Sequence, residues 1–172
     1  DVGQGDAIAL RTPRGRWVLI DAGRNWTGGD AGRRVVVPYI RRRGGDVALF
    51  VLTHSDADHV GGAASVIDAL RPGAYWDSGF PGTNAPYRAS LAVAERRGIP
   101  WRRVHPGDTV RVDNVLVRVL APDSAFTASL DGPNDASTVL MVEYGAVRFL
   151  LMGDAGALEE EWLEAHWGDS VL

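Results

Sequence analysis

The chain has 172 residues, 45% of them hydrophobic, and a net charge of −4 from 18 basic and 22 acidic side chains. That is the length of one domain with enough apolar content for a core; the negative balance argues against strong non-specific nucleic-acid binding by the whole domain and leaves only local basic patches for it. Absence of cysteine excludes disulfides, thiolate ligands and a cysteine nucleophile, and no apolar run reaches the roughly 18 residues of a membrane span. No signal peptide is visible, and a chain that opens at Asp1 inside a motif is expected to belong to something longer.

Gly3-x-Gly5 precedes a strand instead of following one and lacks a third glycine, so no nucleotide-cofactor loop is read there. Ala7 to Arg11 and Trp17 to Asp21 read as strands joined by a Pro/Gly turn over Thr12 to Arg16. Asp21, before Ala22-Gly23, has the chemistry of a turn former. Arg24 to Asp30 reads as a polar loop. Ala31 to Arg43 reads as an amphipathic helix with Val36, Tyr39 and Ile40 inward, and Pro38 is expected to kink it or delay its start. Arg33, Arg34, Arg41, Arg42 and Arg43 form a basic cluster, which is a solvated helix face or, if turned to a pocket, a phosphate-contacting rim.

Ala48 to Leu52 reads as a buried strand. It runs into Thr53-His54-Ser55-Asp56-Ala57-Asp58-His59, then Gly61-Gly62 and a helix over Ala63 to Leu70. Four potential metal ligands lie within six residues, and two of the chain's four histidines are among them. His54 and Asp56 are two apart, so extended backbone points them to one side. Asp58 and His59 are adjacent, diverge, and can serve a second ion. Two ions about 3.5–4 Å apart can hold both the attacking and the leaving oxygen of a phosphoryl or acyl substrate. Ligands at a strand end, on a turn into a helix, are rigidly held and open to solvent on one side. The competing use of Asp58 is to cap that helix.

Downstream, Ala74 to Asp77 reads as a short strand, Gly79 to Pro86 as a loop and Pro86 to Arg97 as a helix. Trp101 to Val104 and Thr109 to Val112 read as strands about the turn Pro106-Gly107-Asp108, with His105 as a surface turn residue. Val115 to Ala121 has strong β-propensity. Pro122 to Ser137 reads as a long polar loop, in which Asn134 and Asp135 either form an Asx-turn after Pro133 or face a site. Thr138 to Tyr144 and Val147 to Met152 read as a hairpin about Gly145-Ala146. Asp154 follows an apolar strand and precedes a helix over Ala157 to His166, which it can cap. His166 reads as structural or exposed.

The His-x-Asp-x-Asp-His of His54 to His59 after a strand resembles the metallo-β-lactamase superfamily, whose usual form is His-x-His-x-Asp-His. With Asp1-Val-Gly-Gln-Gly-Asp6, Leu19-Ile-Asp-Ala-Gly23 and Pro133-Asn-Asp-Ala-Ser137 in that order, it resembles the C-terminal hydrolase domain of ComEC-type competence proteins, the membrane channels of DNA uptake. The resemblance runs over nearly the whole chain. It implies an α/β fold, a metallo-β-lactamase-like αββα sandwich over residues 1–172 as a single domain. That domain is expected to be truncated at its C-terminus, because the segment with the final metal histidine does not follow; the second metal position is then incomplete, and the fragment by itself can be inactive. It implies His54, Asp56, Asp58, His59 and Asp154 as metal ligands, with Asp154 touching both ions. Asp6, Asp21 and Asp135 are implied near the pocket, Asp21 orienting ligands from behind. Where the superfamily has a third-motif histidine, Asn134 best matches, lining the site or lending an amide oxygen; Asp135 is the other candidate ligand. Turnover is expected to depend on Asp58 and Asn134, the latter or an arginine steadying the developing oxyanion.

Aspartate and asparagine in place of histidine make such a site rich in oxygen, which favours Mn²⁺ or Mg²⁺ while remaining compatible with Zn²⁺. Two divalent ions would lower the pKa of water toward ~7 for attack on phosphorus or a carbonyl. The expected function is a metal-dependent phosphodiesterase acting on DNA, in a soluble domain of a membrane-anchored bacterial inner-membrane protein whose channel portion is its partner. The alternatives are another ester or lactam hydrolase, and a non-catalytic metal-binding domain docked on the channel.

Overall fold

The computed structural model describes residues 1–80, 82–129, 132 and 134–168. Pro133, quoted in the last motif, lies outside the described residues. The first sheet is built from β1 (Ile8–Arg11), β2 (Trp17–Ile20), then β5 (Val47–Val51), β6 (Tyr75–Asp77) and β7 (Trp101–Arg103), in the order β1-β2-β5-β6-β7. Only β1 and β2 are antiparallel; the other pairings are parallel. Between β2 and β5 the chain makes a hairpin of two-residue strands, β3 (Asn25–Trp26) and β4 (Gly29–Asp30). A turn of π-helix over Gly32–Val36 and helix α1 (Val37–Arg43) follow. Crossovers between the parallel strands are made by α2 (Ala57–Val60) and α3 (Ala63–Leu70), then by α4 (Ala85–Arg97).

The second sheet is antiparallel, in the order β11-β10-β9-β8, from β8 (Thr109–Val112), β9 (Val115–Ala121), β10 (Val139–Tyr144) and β11 (Val147–Leu151). Helix α5 (Ser124–Ala128) and a 3₁₀ turn at Asn134–Ala136 lie between β9 and β10, and α6 (Ala157–Trp167) ends the described chain.

Alternation along the strands sets the layers. Trp17, Leu19, Phe50 and Leu52 face the helices and pack with Val37, Ile40, Val66 and Ile67. Val18, Ile20, Leu49 and Val51 face the other way, against Val117, Val119, Leu140 and Val142 of the second sheet. The opposite face of that sheet, Leu120, Val139 and Met141, packs on Leu163 of α6. Helix, sheet, sheet, helix is the αββα sandwich. No helix of the described residues is long and apolar enough to cross a membrane.

Four local expectations are corrected. Tyr39 is not inward: it is 37% exposed, edge-on to Trp17, with the Arg43 guanidinium carbon 3.7 Å from its ring centroid. A π-helical stretch shifts the facing residues, and Pro38 lies in the first turn of α1, where its missing N–H costs nothing. The segments around Pro106-Gly107-Asp108 are not partners: β7 closes the first sheet and β8 opens the second. The 24–30 segment is a hairpin and not an irregular loop. The 122–137 segment carries α5 and a 3₁₀ turn.

Candidate metal centre

The site forms where β5 ends. Parallel pairing of β2 with β5 sets Ile20 beside Val51, so Asp21 and Thr53 emerge side by side. Asp21 takes a positive φ of 59°, a conformation aspartate tolerates better than most residues. Its buried carboxylate accepts three hydrogen bonds. Thr53 N–H donates to Oδ1 (2.8 Å), Thr53 Oγ1–H donates to Oδ2 (2.7 Å), and the His59 Nδ1–H donates to Oδ2 (2.8 Å). Asp21 is thus both a turn residue and the partner of His59.

These bonds fix the tautomers. Thr53 Oγ1 spends its proton on Asp21, so toward His54 Nδ1, 3.0 Å away, it can only accept. His54 therefore carries its proton on Nδ1, and the lone pair of Nε2 points elsewhere. Buried, that Nε2 has no hydrogen-bond partner among the described residues. It faces Asp56 Oδ2 at 3.9 Å and Asp154 Oδ2 at 4.0 Å. Likewise His59, its Nδ1 tied to Asp21, turns Nε2 to Asp154 Oδ1 at 3.3 Å. The two imidazoles lie 4.1 Å apart between centroids.

The ligand atoms of His54, His59 and Asp154 lie within 4.8 Å of one another, and so do those of Asp6, Asp21 and His59. Ligands bound tetrahedrally at about 2.05 Å are about 3.4 Å apart. The separations of 3.3 to 4.0 Å between these donor atoms bracket that value, and an orphaned imidazole lone pair aimed among carboxylates is the donor chemistry a divalent ion requires. The residues fit a metal. Opposing charges set the imidazole protonation. Burial pushes both imidazoles down, and in His54 it prevails, helped by the neighbouring His59. In His59 the hydrogen bond and charge of Asp21, with Asp154 and Asp58, outweigh burial and raise it to about 9.

Asp56, Asp58 and Asp135 stand outside both ligand groups, Asp56 with its Oδ2 3.9 Å from His54 Nε2. Asp58 lies within α2, half-buried, and accepts from Gln4 Nε2 at 3.3 Å. The N-terminal turn presses on α2 so closely that a Cβ on Gly5, whose φ is +90°, would collide with the Asp58 carbonyl. The N-cap of α2 is Asp56, without a side-chain cap bond, and that of α6 is Gly156, also without one. Neither Asp58 nor Asp154 is therefore occupied as a cap. Asp154 is exposed, open to solvent beside two buried histidines. Asn134 is exposed, its backbone carbonyl accepting from Ser137 N–H (3.0 Å). The same loop is tied to the site: Thr138 N–H donates to Thr53 O (2.7 Å) and Ser137 Oγ lies 3.5 Å from His54 Nδ1. Asp135 packs against Gly156 at the start of α6.

Sequence reasoning gave no role to Thr53, Gln4 or Glu159. Thr53 gave no local signal, because its place beside Asp21 follows from the parallel β2–β5 register. Glu159 gave no signal, since glutamate on an acidic helix is ordinarily solvated. Here it is fully buried, and its carboxylate oxygens lack a hydrogen-bond partner among the described residues. Burial, with the charge of Asp135, raises it to about 9; the Ser137 N–H lies near enough to oppose this in part but donates to Asn134 O.

A sandwich of this layering with histidine and aspartate gathered at its strand ends defines a class of metal-site α/β proteins. The chain belongs to the metallo-β-lactamase superfamily, whose family model matches residues 1–170. It is 29% identical over 161 residues to "Recombination protein 2" of Haemophilus influenzae, covering 94% of this chain and 18% of that protein. It is also 29% identical over 176 residues to "ComE operon protein 3" of Bacillus subtilis, covering 94% and 22%. The chain thus spans about a fifth of the length of these relatives, which are ComEC-type competence proteins. Among solved structures, CmlA of Streptomyces venezuelae, a diiron β-hydroxylase, shares the fold with a TM-score of 0.57 at 16% identity, covering 94% of this chain and 31% of that one.

Proposed function

We propose that this chain is a metal-dependent phosphodiesterase acting on DNA, the hydrolytic part of a DNA-uptake protein with a membrane channel. The observation that carries the reading is the unpartnered His54 Nε2 facing Asp56 and Asp154, beside a His59 whose other nitrogen is held by Asp21. The DNA substrate, the channel partner and the inner-membrane setting rest on the ComEC-type resemblance.

In this reading His54, Asp56, Asp58, His59 and Asp154 hold two divalent ions, Mn²⁺, Zn²⁺ or Mg²⁺. Divalent ions there supply Lewis-acid activation of water and neutralise charge on a phosphodiester. Asp21 keeps the His59 proton on Nδ1 and so keeps Nε2 free as a donor. Thr53 does the same for His54. Asp6 and Asp135 flank the ligands, and Asn134 offers an amide N–H to a phosphoryl oxygen as charge builds on it.

The test is elemental analysis together with cleavage of a single-stranded oligonucleotide in Mn²⁺, for the chain and for His54→Ala and Asp58→Ala. Bound metal and cleavage in the parent, both lost in the variants, is the expected result. Metal retained without cleavage would assign the chain a metal-binding role on the channel instead. Absence of bound metal would overturn the ligand assignment.

A further inference from the structure

The arginine cluster is split by the fold. Arg41 donates from Nη2 to Ala69 O (3.1 Å) and Arg43 lies over Tyr39. Arg33 and Arg34 instead sit beside the β3–β4 hairpin, where the Arg34 guanidinium carbon is 5.3 Å from the centroid of the Trp26 ring. Arg24, Arg33 and Arg34 are exposed. The nearby carboxylate, Asp30, is engaged: Oδ1 accepts from Arg33 N–H (2.7 Å) and Oδ2 from Ser65 Oγ (2.8 Å). The hairpin therefore carries a local positive charge on a chain whose net charge is negative.

The hairpin is fastened to the segment that bears His59. Ala22 N–H donates to His59 O (2.9 Å) and Gly62 N–H to Gly23 O (3.0 Å). A Cβ on Gly61 would collide with Asn25 N. Trp26 is five residues from Asp21, so chain reach holds it within about 17 Å of the metal centre's inner carboxylate.

We propose that this hairpin is a contact surface for single-stranded DNA flanking the metal centre. Trp26, with the Arg34 guanidinium plane, is a stacking platform for an unpaired base, and Arg24, Arg33 and Arg34 neutralise phosphates. Stacking of an indole and a planar cation favours unpaired bases over a duplex, whose bases are already stacked. The proposal rests on the phosphodiesterase reading and names where its substrate is held.

The experiment measures fluorescence anisotropy of a labelled single-stranded 12-mer, an abasic strand of equal length and a 12-base-pair duplex, with cleavage of the single strand in Mn²⁺. The proteins are the parent chain, Trp26→Ala, Trp26→Phe, Arg34→Ala and Arg42→Ala, each checked for folding by its thermal midpoint. Trp26→Ala is expected to weaken the base-bearing strand about tenfold and the abasic strand far less, with Trp26→Phe between. Arg34→Ala is expected to weaken both strands and to reduce the slope of log K against log salt by about 0.7. Arg42→Ala, in the last turn of α1 and with no contact to Trp26 recorded among the described residues, is expected to bind as the parent does. If Trp26→Ala does not fold, Trp26→Phe and Arg34→Ala decide. A parent that binds and cuts the single strand, with hairpin variants that bind equally well, overturns this proposal and leaves the phosphodiesterase reading standing. Tighter binding of the duplex also overturns it. A parent that neither binds nor cuts overturns both.

Discussion

At the scale of single residues, the centre depends on which nitrogen of each histidine keeps its proton. Asp21→Asn keeps the shape but weakens the acceptor behind His59, and is expected to lower metal affinity 10- to 100-fold, measured by calorimetric titration. Protons compete for the same site. Without metal, His59 holds its proton to about 9, above its ordinary 6.5. That contribution to stability is complete below pH 6.5 and is lost as pH rises toward 9. The thermal midpoint in chelator is expected to fall across that window, with a smaller fall in Asp21→Asn. Glu159, also raised to about 9, from 4.5, has the same sign over a wider window. Glu159→Gln mimics the protonated acid, so it is expected to match the parent near pH 4.5 and to exceed its midpoint by several degrees at pH 8. Each kcal/mol is worth about 2–4 °C at this chain length.

Elements explain what could be read in advance and what could not. The 54–59 cluster of candidate ligands is legible because its members are close in sequence and follow a buried strand, and Asp154 joins them through the family resemblance together with its place at the end of an apolar strand. The β3–β4 hairpin was not legible, since two-residue strands are too short to show alternation. Tyr39 was misplaced because a helical period of 3.6 was carried through a π-helical turn, which advances by a different angle. The relation of Thr53 to Asp21 is written in the β2–β5 register, a long-range fact. Short α2 owes its position to what presses on it. Ala at Gly61 would drive a methyl into backbone of residues 24, 25 and 57. Gly61→Ala is expected to cost about 1–3 kcal/mol in denaturant unfolding, and to weaken metal binding because Asp58 and His59 move with the helix.

For the whole molecule, strand and helix segments are legible from the apolar pattern, while their arrangement as an αββα sandwich is what the family resemblance implies, since strands such as Trp17–Ile20 are buried along their whole length and show no alternation. The pairing of β7 and β8 was misjudged, since proximity in sequence favours a hairpin and only the sandwich core decides that the chain changes sheets there. A ligand that binds the folded state alone stabilises it by about 2.7 kcal/mol at a hundredfold excess over Kd. Saturating Mn²⁺ or Zn²⁺ is therefore expected to raise the thermal midpoint, and chelator to return it.

The change of sheet between Arg103 and Thr109 divides the proposed ligands as well as the strands. His54, Asp56, Asp58 and His59 come from the first half of the chain, and Asp154 from the second. An ion shared by them would rivet one half to the other. Its affinity then becomes a gauge of how firmly the two sheets are docked. A core substitution remote from every ligand, such as Val119→Ala between the sheets, would register as faster metal loss.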